Sequence, residues 1–130
     1  MDEFRYLGKL ANQPTDSVDL IEWTGEPIIV RLDCSEFSSL CPVTNQPDYG
    51  TLVIEYVPDK CLAETKSLKL YLWKYREQKG FNEVLVDTIA GDLYRQIKPR
   101  WIQVVGTFNP RGGIRVTATA RRGSEEYKPS

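Results

Sequence analysis

The sequence predicts an α+β domain: a four-stranded antiparallel sheet with two helices on one face, in the order ββααββ. Three observations lead to it. A chain of 130 residues is one domain's worth. Its β-branched runs come in two pairs, one before and one after two amphipathic helical patterns. Strands and helices in blocks favour an antiparallel sheet over a doubly wound parallel one.

In chain order, residues 1–25 are polar around Pro14 and read as an irregular arm. The run PIIVRLDCSEF from Pro27 and the run TLVIEYV at Thr51–Val57 are β-branched and flank the turn-rich connection CPVTNQPDYG. Cys61, Thr65, Leu68, Leu72 and Tyr75 recur at helical spacing, with Asp59 placed as the N-cap. After Gly80, the stripe Phe81, Leu85, Ile89, Leu93 and Ile97 marks a second helix, starting near Asn82 and stopped by Pro99. RWIQVVGTF and GIRVTATAR, parted by the turn residues NPRGG, finish the domain at residue 123. Residues 124–130 read as a frayed tail. So small a core leaves a sheet face or edge to cover, and association is the expected way to cover it.

Composition narrows the chemistry. The chain has no histidine, so Cys-His dyads and histidine-bearing metal sites are excluded, and no metal is expected. A formal net charge of −1 gives no overall pull toward nucleic acid. No apolar run approaches the roughly 20 residues of a membrane helix, and the opening MDEFRYLGKL lacks a secretory pattern. Three cysteines without CxxC spacing disfavour a disulfide framework. The expected compartment is the cytoplasm.

Four places could carry chemistry. Cys41 lies in the Pro- and Asn-rich connection SLCPVTNQPDYG with Asp48, where a thiolate could attack an electrophilic carbon and a carboxylic acid could deliver the proton. The plainer alternative is an inert, half-buried thiol, which is also the reading for Cys34 and Cys61. The helix face bearing Lys66, Lys69, Trp73 and Arg76 could hold phosphates and stack a flat ring, or be an ordinary solvated face. Asn82-Glu83 is by itself a helix start, an N-cap with a carboxylate in the first turn.

Taken together, FSSLCPVTNQPDYG at 37–50, AETKSLKLYLWKYR at 63–76, FNE at 81–83 and RGGI at 111–114 resemble one family. The chain is identified as a member of the QueF family, the NADPH-dependent 7-cyano-7-deazaguanine reductases of queuosine biosynthesis, a tRNA modification, in their single-module form. The resemblance runs from about Tyr6 to Gly123. It implies the tunnelling fold, in which ββααββ subunits join edge to edge into a barrel with active sites at subunit interfaces. It further implies that Cys41 attacks the nitrile carbon to form a thioimide and that Asp48 donates a proton. Ala63, Glu64, Thr65, Asn82 and Glu83 would line the substrate pocket, and Lys66 and Lys69 would belong to the NADPH-binding segment. The partner would be a small deazapurine, with no membrane and no nucleic acid.

Departures from the family pattern are informative. Asn82 stands where the family usually has histidine, and it can hydrogen-bond but not titrate. Asn45 stands where glycine is common, and asparagine tolerates the positive φ such a turn requires. Tyr49 replaces Phe and Thr65 replaces Ser. Two alternatives follow: an amidine-forming relative of the archaeosine type, which would use ammonia on the same thioimide, and a non-catalytic deazapurine-binding tunnelling-fold protein.

Overall fold

The computed structural model describes residues 13–130. Its main sheet has four antiparallel strands in the order β2-β3-β5-β6: β2 (Val30–Leu40), β3 (Pro47–Val57), β5 (Trp101–Phe108) and β6 (Thr117–Gly123). Two helices, α1 (Thr65–Trp73) and α2 (Asn82–Ile97), lie between the strand pairs in sequence. This is the ββααββ arrangement the hydrophobic patterns predict. No helix among the described residues is long and apolar enough to cross a membrane.

Period-two alternation turns Leu52, Ile54 and Tyr56 of β3 and Ile102, Val104 and Phe108 of β5 inward. There they meet the buried stripe of α2, Leu85, Val86, Ile89, Leu93 and Ile97, and Leu68 and Tyr71 of α1. Each such aliphatic or aromatic burial contributes about 1.5–3 kcal/mol. Gly106 lets α2 approach this closely, because a Cβ there would stand 2.6 Å from Cγ2 of Val86. The helix ends as the sequence predicts: Lys98 takes a left-handed φ of 51° and Pro99 follows.

The first helix differs from expectation at its start. Cys61–Ala63 is not helical but forms the short strand β4, paired antiparallel with β1 (Leu20–Glu22). The cap is Glu64 rather than Asp59: its carboxylate accepts from the backbone N–H of Lys66 at 2.7 Å and of Ser67 at 2.8 Å. Cys61 kept the apolar rhythm because it is buried, its thiol donating to the Ile97 carbonyl at 3.0 Å. Periodicity alone cannot separate a buried strand residue from the next helical turn. After Trp73 the chain tightens into a 3-10 turn, Lys74–Glu77.

The arm and the tail are also more ordered than read. Residues 1–12 lie outside the described residues. Beyond them, Asp19 accepts the Glu64 N–H at 2.9 Å and donates its own N–H to the Ser67 hydroxyl at 2.8 Å, fastening the arm to the head of α1. In the tail, Glu125–Tyr127 forms a 3-10 turn. The Tyr127 hydroxyl accepts from Arg100 at 3.1 Å.

Candidate active site

A one-residue irregularity in β2 precedes the nucleophile candidate. Cys34 pairs with Leu52, but Phe37 pairs with Gly50, so the strand carries one residue more than its partner between those points. Such a bulge reverses which residues face inward. Before it, Leu32 and Cys34 pack toward the core; after it, Phe37 and Ser39 do, both fully buried.

The connection is shorter than expected. Pro47 and Asp48 belong to β3, with Ser39 opposite Asp48 and Leu40 opposite Pro47, so only residues 41–46 form the turn. Cys41 closes it twice, donating its N–H to Gln46 O and accepting at its carbonyl from Asn45 N–H, both at 2.9 Å. Asn45 has the positive φ its position in the sequence suggests, 60°.

The Thr44 hydroxyl, followed by the backbone N–H groups of Thr44 and Val43, lowers the Cys41 pKa from its ordinary value, against a smaller opposing effect of burial and of the Asp48 charge. Burial pushes Cys34 and Cys61 the other way. In a pH series of alkylation read by peptide mass spectrometry, Cys41 should therefore label at lower pH than either other cysteine. Thr44→Val should move its midpoint upward. Labelling of all three at one common pH would contradict this assignment.

Asp48 is buried, 9% exposed, and is gripped by the Arg111 guanidinium at 2.6 Å. The start of α2 reaches the same corner because Gln78–Gly80 runs alongside the end of β2. Leu40 donates to Gln78 O at 3.0 Å, and Gly80 donates back to Leu40 O at 3.1 Å. Asn82 is the first helical residue rather than the cap, which is Phe81, and no side chain caps this end. Two buried polar atoms, Asn82 Oδ1 and Ser39 Oγ, have no hydrogen-bond partner among the described residues. An unpaired buried polar atom costs about 1–3 kcal/mol. Glu83 is exposed in the first turn of α2.

The remaining sequence-predicted residues sit elsewhere in the protomer. A groove of about 590 Å³ runs between β2 and α1 and is lined by Arg31, Ser38, Thr65, Lys69, Trp73 and Arg76, among others. Cys41, Asp48, Asn82 and Glu83 do not line it. Ala63 and Glu64 are buried at the head of α1, and Lys66 is half-buried in its first turn. One protomer thus presents a thiol-carboxylate corner and, apart from it, a groove whose charged lining is Arg31, Lys69 and Arg76 together with Asp33 and Glu36. Sequence reasoning missed Thr44, Ser39 and Arg111 as site residues. All three lie inside the quoted motifs, Ser39 and Thr44 in FSSLCPVTNQPDYG and Arg111 in RGGI.

Residues 47–127 match the family model described as QueF-like protein. A protein of Anaeromyxobacter dehalogenans (strain 2CP-C), named NADPH-dependent 7-cyano-7-deazaguanine reductase, is 46% identical over 99 residues, 76% of this chain and 81% of that protein. Proteins of the same name from Nitratidesulfovibrio vulgaris (strain DP4) and Helicobacter pylori (strain P12) are 39% and 43% identical. They cover 95% and 77% of this chain, and 79% and 68% of their own lengths. In fold, the chain is similar to the crystal structure of the archaeosine synthase QueF-Like in the apo form. That match has a TM-score of 0.71 at 22% identity, over 77% of this chain and 98% of that one. Because the model match takes in three of the four main strands and both helices, and relatives this similar extend over most of the chain, the chain belongs to the QueF family.

Proposed function

We propose that this protein reduces the nitrile of 7-cyano-7-deazaguanine to the 7-aminomethyl base with NADPH, through a thioimide on Cys41. The observation that carries the reading is the Cys41 turn, closed by two backbone hydrogen bonds of Cys41 itself and leading directly into the buried Asp48 carboxylate that Arg111 holds. The thiolate adds to the nitrile carbon, and the proton reaching nitrogen comes by way of Asp48, so thiol plus nitrile becomes thioimide with nothing left over. Asn82 Oδ1, without a hydrogen-bond partner among the described residues, is available to accept a hydrogen bond from the base. Glu83 and the residues Ala63, Glu64 and Thr65 at the head of α1 recognise its guanine-like edge. Glu64 does so with lone pairs its capping role leaves over.

NADPH, when bound, supplies the two hydrides that separate a nitrile from a primary amine. The β2–α1 groove fits such a group: Lys69 and Arg76 offer charge to phosphates, and the Trp73 indole, already stacked by Arg76 at 5.2 Å, offers a flat face. Lys66 extends that cationic segment. The corner and the groove are joined in a homo-oligomer, where the groove of one subunit meets the thiol corner of another. The cytoplasm is the compartment proposed, with the cysteines reduced.

One observation favours a second reading, amidine formation with ammonia on the same thioimide: Asn82 cannot donate and recover a proton as the family's usual histidine does. A single assay separates the two. Protein incubated with the nitrile and NADPH should oxidise two NADPH per aminomethyl product formed, and Asn82→His should accelerate turnover. No NADPH oxidation, with amidine appearing when ammonia is added, would establish the second reading instead.

A further inference from the structure

We propose that Arg111 is a positioning residue for Asp48, holding one carboxylate oxygen so that the other is presented to the thiol and the nitrile nitrogen. The proposal rests on the nitrile-adding reading above. Its basis is a contact made by one nitrogen: Arg111 Nη2 lies 2.6 Å from Asp48 Oδ1 and donates to the Pro47 carbonyl at 2.7 Å. That nitrogen carries two N–H bonds, so the backbone of residue 47 and the side chain of residue 48 together exhaust it. The guanidinium is thereby referenced to the main chain of β3. Oδ1 is committed to Arg111, which assigns proton transfer to Oδ2.

The surrounding backbone is built to deliver this contact. Arg111 and Ile114 exchange N–H···O bonds of 3.0 Å in both directions. Between them Gly112 and Gly113 take φ values of 57° and 80°, a pair of positive angles that two-residue hairpin turns reserve for glycine. Among the described residues, chain neighbours aside, no atom lies within 4 Å of either ideal Cβ, so conformation rather than crowding selects glycine here. The turn is fixed beside its target by Asn109, whose N–H donates to Tyr49 O at 2.9 Å, one residue past Asp48. A side chain half exposed to solvent, reaching a buried carboxylate from a turn pinned at that point, is poorly explained as a surface ion pair, which typically contributes little to stability.

The experiment follows covalent adduct formation between purified protein and 7-cyano-7-deazaguanine without NADPH, so that cofactor binding plays no part. Mass spectrometry reads the rate, and nitrile affinity is measured separately on a Cys41→Ala background. Arg111→Ala should slow adduct formation by roughly 10²-fold, the scale of a small misplacement of a reacting group, with nitrile affinity unchanged. Arg111→Lys, which keeps the charge, should recover part of that loss. In Asp48→Asn protein, adding Arg111→Ala should slow the reaction no further, because both changes act through one group. Wild-type rates in Arg111→Ala, or losses that multiply in the double variant, would overturn the inference while leaving the thioimide reading intact. Absence of any adduct on the wild-type protein would overturn both. Circular dichroism of Arg111→Ala should match wild type, and a changed spectrum with no rescue by lysine would assign Arg111 to the fold instead.

Discussion

Cys41→Ala protein should form no nitrile adduct and show no nitrile-dependent NADPH oxidation, a loss of about 10⁴-fold or more, as expected when a covalent nucleophile is removed. Its folding should be untouched. Cys41 is half-buried in a turn whose closing hydrogen bonds come from its backbone, and those survive the substitution. Intact-mass measurement with the nitrile, beside thermal denaturation, reads both outcomes. Cys41→Ser is the sharper control, because a hydroxyl in the same nest of donors remains protonated where the thiol ionises, so it too should form no adduct. An adduct persisting in either variant would remove Cys41 from the mechanism and point to Cys34 or Cys61. Both of those have their thiols pushed up in pKa by burial.

Asp48→Asn should slow adduct formation by about 10²- to 10⁴-fold, the range of a general acid-base group. The amide is nearly the same shape but cannot carry the proton from sulfur to nitrogen. It also cannot pair its charge with Arg111, which reaches the wild-type carboxylate at 2.6 Å. Binding of the nitrile, measured with Cys41 removed, should change little. A reversed pattern, weakened binding with an unchanged rate of addition, would assign Asp48 to substrate recognition. The thiol would then be left to find its proton partner in water.

What could be read from the chain without its fold is whatever rests on short-range periodicity and stereochemistry. The α2 stripe and its Pro99 stop, the strand runs of β3 and β5 and the left-handed Asn45 are all decided within a few residues. The motif residues identified the family for the same reason: they lie in short runs. What failed was the head of α1. There, burial of Cys61 in a strand mimicked another helical turn, and the partner strand β1, about 40 residues away, gave no local signal.

The site itself divides along the same line. Cys41 and Asp48 stand seven residues apart and were legible as a pair. The Arg111 hold on Asp48 joins residues 63 positions apart, and the junction of α2 with the Cys41 turn depends on two backbone hydrogen bonds, one donated by Leu40 to Gln78 and one accepted by Leu40 from Gly80. By itself the sequence determined the elements, their order and the reactive groups, because local propensity and pattern decide these. Only the tertiary structure decided which groups meet. The bulge between Cys34 and Phe37 sets which side of β2 faces inward, and the direction of the Val43 and Thr44 donors sets the ionisation of Cys41. Both are three-dimensional facts: one is a matter of register between strands and the other of where dipoles point, and neither is carried by residue type.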